Sequence, residues 1–226
     1  MPADLQVLPM TPHSYLQAAR VPSTLAPQRF GLWRITRDFC PPTPQARRRI
    51  GWPHYTVLRR WSLASLHQEE AEIVMEDGIQ ELRRHLPIWL RAHGRVLVTG
   101  LGLGCVVRGL LANPAVERVD VLEVDAGILR VVGPEFAADA RVRLHHADAL
   151  TWQPPRDMRW SFAWHDIWTD GNLHLQVLHA QLMERFCDRV DCQGAWQFPR
   201  EMRRLTDGGD CIAFEWRHGV SIHAPA

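Results

Sequence analysis

The chain contains no lysine: all 26 of its basic residues are arginine. Chemistry that begins with a lysine amine, such as a Schiff-base aldolase or a pyridoxal enzyme, is thereby excluded, and so is a Walker P-loop with its Gly-Lys-Ser/Thr element. Cysteine is sparse and badly spaced for a framework. Five cysteines (Cys40, Cys105, Cys187, Cys192 and Cys211) form no Cys-x-x-Cys pair and have no histidine at zinc spacing, so they read as free thiols, with neither a disulfide framework nor a metal site. No apolar run reaches the roughly 18 residues that span a bilayer, and the first residues lack the basic-then-apolar layout of a signal peptide. A cytoplasmic location is the expectation. Net charge is +1 in 226 residues, which offers no overall field for a polyanion. The single basic run, Arg47-Arg48-Arg49, lies among prolines and reads as a solvated loop.

Proline is plentiful at the start of the chain, at positions 2, 9, 12, 22, 27, 41, 42, 44 and 53. Such density excludes long helices and favours loops with short extended pieces. The stretches RFGLWRITRDF and HYTVLRRWSL are the best strand candidates there and are expected to pair. Residues 1–65 are therefore read as a proline-rich extension with short strands, and residues 66–226 as the main domain. From Ala71 to His93, apolar residues near helical spacing (Ile73, Val74, Ile79, Leu82, Leu86, Trp89 and Leu90) predict a helical lead-in, broken at Asp77-Gly78 and at Pro87.

After Gly94 strands and helices alternate: VLVT, CVVRGLLA, RVDVLEV, AGILRVVGPEF, VRLHHA, WSFAWHD. That order predicts an α/β fold with a mostly parallel, doubly wound, Rossmann-like sheet. The near-continuous apolar runs VLVTG and RVDVLEV fit strands buried on both faces. Leu173 to Phe186 reads as a helix and CIAFEWR as a last strand.

The turn after the first of these strands is GLGLG, with glycines at 100, 102 and 104. Glycines there let a ligand approach the backbone at the start of a helix. A dinucleotide fingerprint needs a further glycine where this chain has Cys105. Two carboxylates later in the chain, Asp148 and Asp166, fall at carboxyl ends of strands, where open α/β sheets bind ligands. They suit a sulfonium and an adenine amino group and would repel a pyrophosphate. HQEEAE at 67–72 has Ala71 where a zinc protease needs its second histidine, so no metal site follows.

In series, GLGLG, LEVD, HADAL and WHDIW resemble the motifs of class I S-adenosylmethionine-dependent methyltransferases, and within them a spermidine synthase-like subgroup of bacterial and phage proteins. Met75, Asp77, Glu81 and His85 fit the front of that subgroup's pattern. The resemblance implies S-adenosylmethionine as cofactor. Gly100, Leu101, Gly102 and Gly104 would lie along its amino-acid and ribose parts, Glu123 on the ribose hydroxyls, and Val124 and Asp125 beside the adenine. Asp148 and Ala149 would meet the adenine edge, and Asp166 the sulfonium and acceptor. Asp166 is the expected catalytic residue, with His165 and Trp168 beside it, although strand neighbours point to opposite faces. Trp160 and Trp164 are expected to share a face with Phe162 and Asp166. Val98 stands where methyltransferases usually carry an acid, and Asp166 to Asp170 do not reproduce the Asp-Ser-x-Asp-Pro motif of spermidine synthases. Methyl transfer to a small-molecule acceptor is the leading expectation, with nucleic acid disfavoured for want of a basic stripe and a homodimer left open. Aminopropyl transfer, a lyase or cyclase releasing methylthioadenosine, and a cofactor-binding protein without catalysis are the alternatives.

Overall fold

A computed structural model describes residues 10–61, 71–167, 175–196, 200–203 and 212–215. The proline-rich start forms a small sheet with two short helices. Helix α1 (Pro12–Ala18) and helix α2 (Pro44–Ile50) each begin with proline behind a threonine cap: Thr11 accepts from the Ser14 amide and Thr43 from the Ala46 amide. Proline is at home in the first turn, where its missing N–H costs nothing. The arginine run 47–49 is therefore helical, in the last turn of α2, and not the loop expected of it. Strands β1 (Gln28–Phe30), β2 (Trp33–Phe39) and β3 (His54–Arg60) pair antiparallel as expected.

A fourth strand, β4 (Glu72–Glu76), adds antiparallel to β3 and extends this sheet past residue 65. The expected helix around Ile73 and Val74 is thus a strand; the two adjacent β-branched residues fit a pleated surface better than a helix. Helix α3 (Ile79–Arg91) starts after the break at Asp77-Gly78 and runs through Pro87. Asp77 is fully buried and accepts from the amides of Val21 (3.1 Å) and Thr56 (2.6 Å), tying the first segment to β3.

The second sheet contains β5 (Gly94–Thr99), β6 (Val116–Glu123), β7 (Val142–His146), β8 (Trp160–His165), β9 (Val190–Ala195), β10 (Arg200–Arg203) and β11 (Ile212–Glu215). Its order is β11-β10-β9-β8-β5-β6-β7; the five strands from β7 to β9 are parallel and the last two antiparallel. The chain winds outward from β5 to β7, then returns to lay β8 on the other side of β5. This doubly wound, Rossmann-like arrangement puts the switch point between β5 and β8, above the glycine turn. Helices α4 (Cys105–Leu111) and α5 (Ala126–Val132) pack with α3 on one face, and α6 (Leu175–Phe186) on the other. Along β5, Val96 and Val98 face the first layer and Leu97 the second, as the apolar runs required.

Two expectations fail here. Phe162 and Trp164 share the α3/α4 face, but Trp160 packs with Phe186 on the other. It opens β8, and its indole N–H donates to the buried Asp120 carboxylate (2.9 Å). Cys187 is disulfide-bonded and not the free thiol expected, whereas Cys40 and Cys105 are free thiols. No helix among the described residues is long and apolar enough to cross a membrane.

Candidate functional site

A cavity of about 250 Å³ opens over the carboxyl ends of β5, β6 and β8, and its opposite wall is the N-terminal sheet, through Trp33, Leu58, Arg60, Val74 and Met75. Three strand-end turns build the floor, and the turn after β7 borders it. The first is the glycine turn, where Gly100, Gly102 and Gly104 have φ of +92°, +52° and +77°. A Cβ on Gly100 would stand 2.0 Å from the Asp166 carbonyl oxygen, so only glycine lets this turn pass the end of β8. Gly100 and Gly102 line the cavity; Gly104 and Leu101 do not. Gly104 is a packing position, since a Cβ there would lie 2.5 Å from the Phe136 ring, and Leu101 is buried with its amide donating to Glu123.

The second turn follows β6. Glu123 reaches back across it, one oxygen accepting from the Leu101 amide (2.8 Å) and the other from the Asp125 amide (2.8 Å). Burial raises its pKa, against the lowering effect of those amides. Asp125 caps α5 through the amides of Gly127 and Ile128 and takes the Trp33 indole N–H at 2.7 Å. Burial pushes its pKa up, but the indole and helix-start amides outweigh that and leave it lowered. Val124 is 65 % exposed at the rim. After β7, Asp148 accepts from the Leu150 amide (2.9 Å) and borders the cavity beside Ala149.

The third turn follows β8 and brings Asp166 to the cavity. Its Oδ2 is sealed from solvent and has no hydrogen-bond partner among the described residues. Burial, with the Glu81 carboxyl adding to it, raises the Asp166 pKa to about 8. Glu81 comes from α3, accepts the Trp196 indole N–H (2.8 Å) and the Arg84 guanidinium (3.0 Å), and is itself raised by burial.

His165 does not join Asp166. It is fully buried, contacts Thr99 Oγ1 (3.1 Å) and Gln193 Oε1 (3.1 Å), stacks on Phe186 and has its pKa lowered to about 4. Strand alternation turns it to the other side of the sheet, so it supports the β5–β8 edge and stays out of the cavity. Trp168 lies outside the described residues. His85 is buried against Trp164 and Trp89, one turn below Glu81 but away from the cavity.

Glu81, Trp33, Arg60 and Trp196 are cavity residues beyond the motif series. Of these only Glu81 was signalled by the sequence, through the pattern it shares with Met75, Asp77 and His85. Together Glu81, Glu123, Asp125, Asp148 and Asp166 set five carboxyl groups around a cavity whose lining includes one guanidinium, Arg60. The arrangement suits a cation with hydroxyl and amine groups.

Comparison with known proteins bears on this site. A stretch of 67 residues is 41% identical to polyamine aminopropyltransferase 2 of Streptomyces coelicolor, covering 26% of this chain and 12% of that protein. A longer stretch of 126 residues is 30% identical to the mitochondrial dimethyladenosine transferase 1 of Caenorhabditis elegans, covering 49% of this chain and 33% of that protein. The chain therefore spans a third or less of these relatives' lengths. No family model matches it. Among solved structures, a dimethyladenosine transferase from Plasmodium falciparum overlays half of this chain and 39% of its own at 15% identity and a TM-score of 0.39.

Proposed function

We propose that this chain binds S-adenosylmethionine across the ends of β5, β6 and β8 and transfers its methyl group to a nucleophile held at Asp166. The observation that carries the reading is Asp166: a carboxyl group at the end of β8 that borders a cavity lined by four other acids and whose buried Oδ2 has no hydrogen-bond partner among the described residues. A buried orphan acceptor is costly to maintain unless a ligand answers it, and a sulfonium with its attached amino group is such a ligand.

When bound, the cofactor supplies an activated methyl group. The protein then has to align, exclude water and move one proton. Glu123, already holding the Leu101 and Asp125 amides, is placed for ribose hydroxyls. The open backbone at Gly100 and Gly102 admits the ligand's central part. Asp166 in its carboxylate form accepts the proton that the nucleophile loses as it takes the methyl group. Glu81, fixed by Trp196 and Arg84, adds to the burial that raises the Asp166 pKa before the cofactor binds.

Calorimetry with S-adenosylmethionine tests the site: Glu123→Ala is expected to abolish binding, and unchanged affinity would remove the ribose assignment. Product analysis tests the reaction, since S-adenosylhomocysteine marks methyl transfer. The 41% match to an aminopropyltransferase supports a second reading, transfer of an aminopropyl group from the decarboxylated cofactor. Methylthioadenosine as product would favour it. A small-molecule acceptor was expected for want of a basic stripe; the distribution of the arginines favours another acceptor.

A further inference from the structure

The near-neutral total hides a division. Residues 10–61 hold nine arginines and one acid, Asp38, while residues 62–226 hold 17 arginines and 23 acids, of which Glu72 and Glu76 lie on β4 of the N-terminal sheet and Glu76 answers Arg49 at 3.5 Å. The strand register gathers part of the basic excess on one side of the N-terminal sheet. Arg29 pairs with Arg34 across β1 and β2, and Arg34 with Arg59 across β2 and β3. Paired residues project to the same face, and like charges directly opposite destabilise a sheet. Asp38 answers only Arg59, at 2.7 Å. Among the described residues Arg29 and Arg34 have no carboxylate partner.

The same face carries a groove of about 370 Å³ lined by Gln28, Arg29, Arg34, Thr36 and Trp61, among others. Arg29 lies 5.8 Å over the Trp61 ring, and the Trp61 indole N–H is buried without an acceptor among the described residues. Helix α2 covers the other half of this face, Ile50 packing on Tyr55 and Val57. It adds Arg47 and Arg48, both exposed and without a carboxylate partner among the described residues. The inner face is the cavity wall. Arg60 points to the cavity while its neighbours Arg59 and Trp61 belong to the outer face, so both features meet at the end of β3.

We propose that this outer face binds single-stranded nucleic acid, its phosphates on Arg29, Arg34, Arg47 and Arg48 and a base against Trp61. A row of unanswered arginines is what a phosphate backbone neutralises, and an aromatic ring beside them serves only bases that are not already stacked in a duplex. The surface stands on the N-terminal sheet and helix α2, apart from the cavity. That it presents a polynucleotide as acceptor rests on the transfer reading above.

The test is fluorescence anisotropy of a labelled 20-nucleotide oligouridylate with the full chain, without cofactor. Four phosphate contacts predict that log K falls against log salt with a slope of about −2.8, about 50-fold between roughly 50 and 200 mM. Arg29→Ala with Arg34→Ala is expected to halve that slope, as is Arg47→Ala with Arg48→Ala on the exposed helix, which keeps the test open if the sheet variant folds poorly. Trp61→Ala should weaken binding with the slope unchanged, and Arg143→Ala on β7 should alter neither. Absence of binding at 50 mM salt, indifference to both arginine pairs, or equal binding of polyglutamate or phosphatidylserine vesicles would overturn the proposal. Loss of oligonucleotide binding with intact S-adenosylmethionine binding would overturn this surface and leave the transfer reading standing.

Discussion

A cation that docks beside Asp166 should expel a proton, and the size of that effect follows from the site. With its pKa raised to about 8, the Asp166 carboxyl is neutral in the free protein at pH 7 in about nine-tenths of molecules. A bound sulfonium restores the carboxylate, so binding at pH 7 should release close to one proton, about 0.9, if the pKa returns to the ordinary range. Affinity then rises with pH, by up to about tenfold per unit below pH 8, and levels off above it. Titration calorimetry in phosphate and in Tris reads the proton directly, because the observed heat shifts with the buffer's ionisation enthalpy. Asp166→Asn should bind with no buffer dependence from this group. Glu81→Gln, which removes the neighbouring acid, should lower the Asp166 pKa and shrink the release. The free protein carries the complementary signature. Its folded state holds a proton that the unfolded chain loses near pH 4, so this group's contribution to stability declines as pH rises from about 4 to about 8. Identical heats in the two buffers, or the same release from Asp166→Asn, would refute the reasoning.

Two further predictions concern the walls of the cavity. Gly100→Ala combines a φ of +92° with a Cβ 2.0 Å from backbone oxygen; a loss of about 2–4 kcal/mol is expected in urea unfolding, together with loss of cofactor binding. Trp33→Phe removes the indole N–H from Asp125 and should cost about 1–2 kcal/mol. Because that bond helps hold the Asp125 pKa down, the difference from the parent should be full above about pH 4 and shrink as pH falls through the depressed pKa.

The parallel sheet was legible because strands buried on both faces read as unbroken apolar runs, and because glycine and acid fall at their carboxyl ends in a repeating order. Asp166, Glu123 and Asp148 were found on that ground, and all three border the cavity. What escaped is whatever reaches the cavity from another element. Trp33 and Arg60 approach across the register of a separate sheet, and Trp196 from beyond β9. No periodicity within a strand records such meetings. Alternation did carry information about His165: its neighbour Asp166 borders the cavity, so His165 faces Phe186 and Gln193.

The charge division is a different case, since every number in it was countable from the start. A total of +1 averages a basic extension against an acidic domain, and electrostatic attraction acts over about 8–10 Å at physiological salt, not over a whole molecule. The two halves then have separate work on opposite sides of one thin sheet. Its outer face, with Arg29 and Arg34 unanswered, attracts anions, while the cavity behind Trp33 and Leu58 gathers carboxyl groups and favours a cation. A polynucleotide and a sulfonium therefore do not compete for the same charges. Raising salt should strip the first from the protein while leaving the second, enclosed and less screened, largely in place. Measuring both ligands across one salt series decides it: parallel loss of the two would mean that they share a single site.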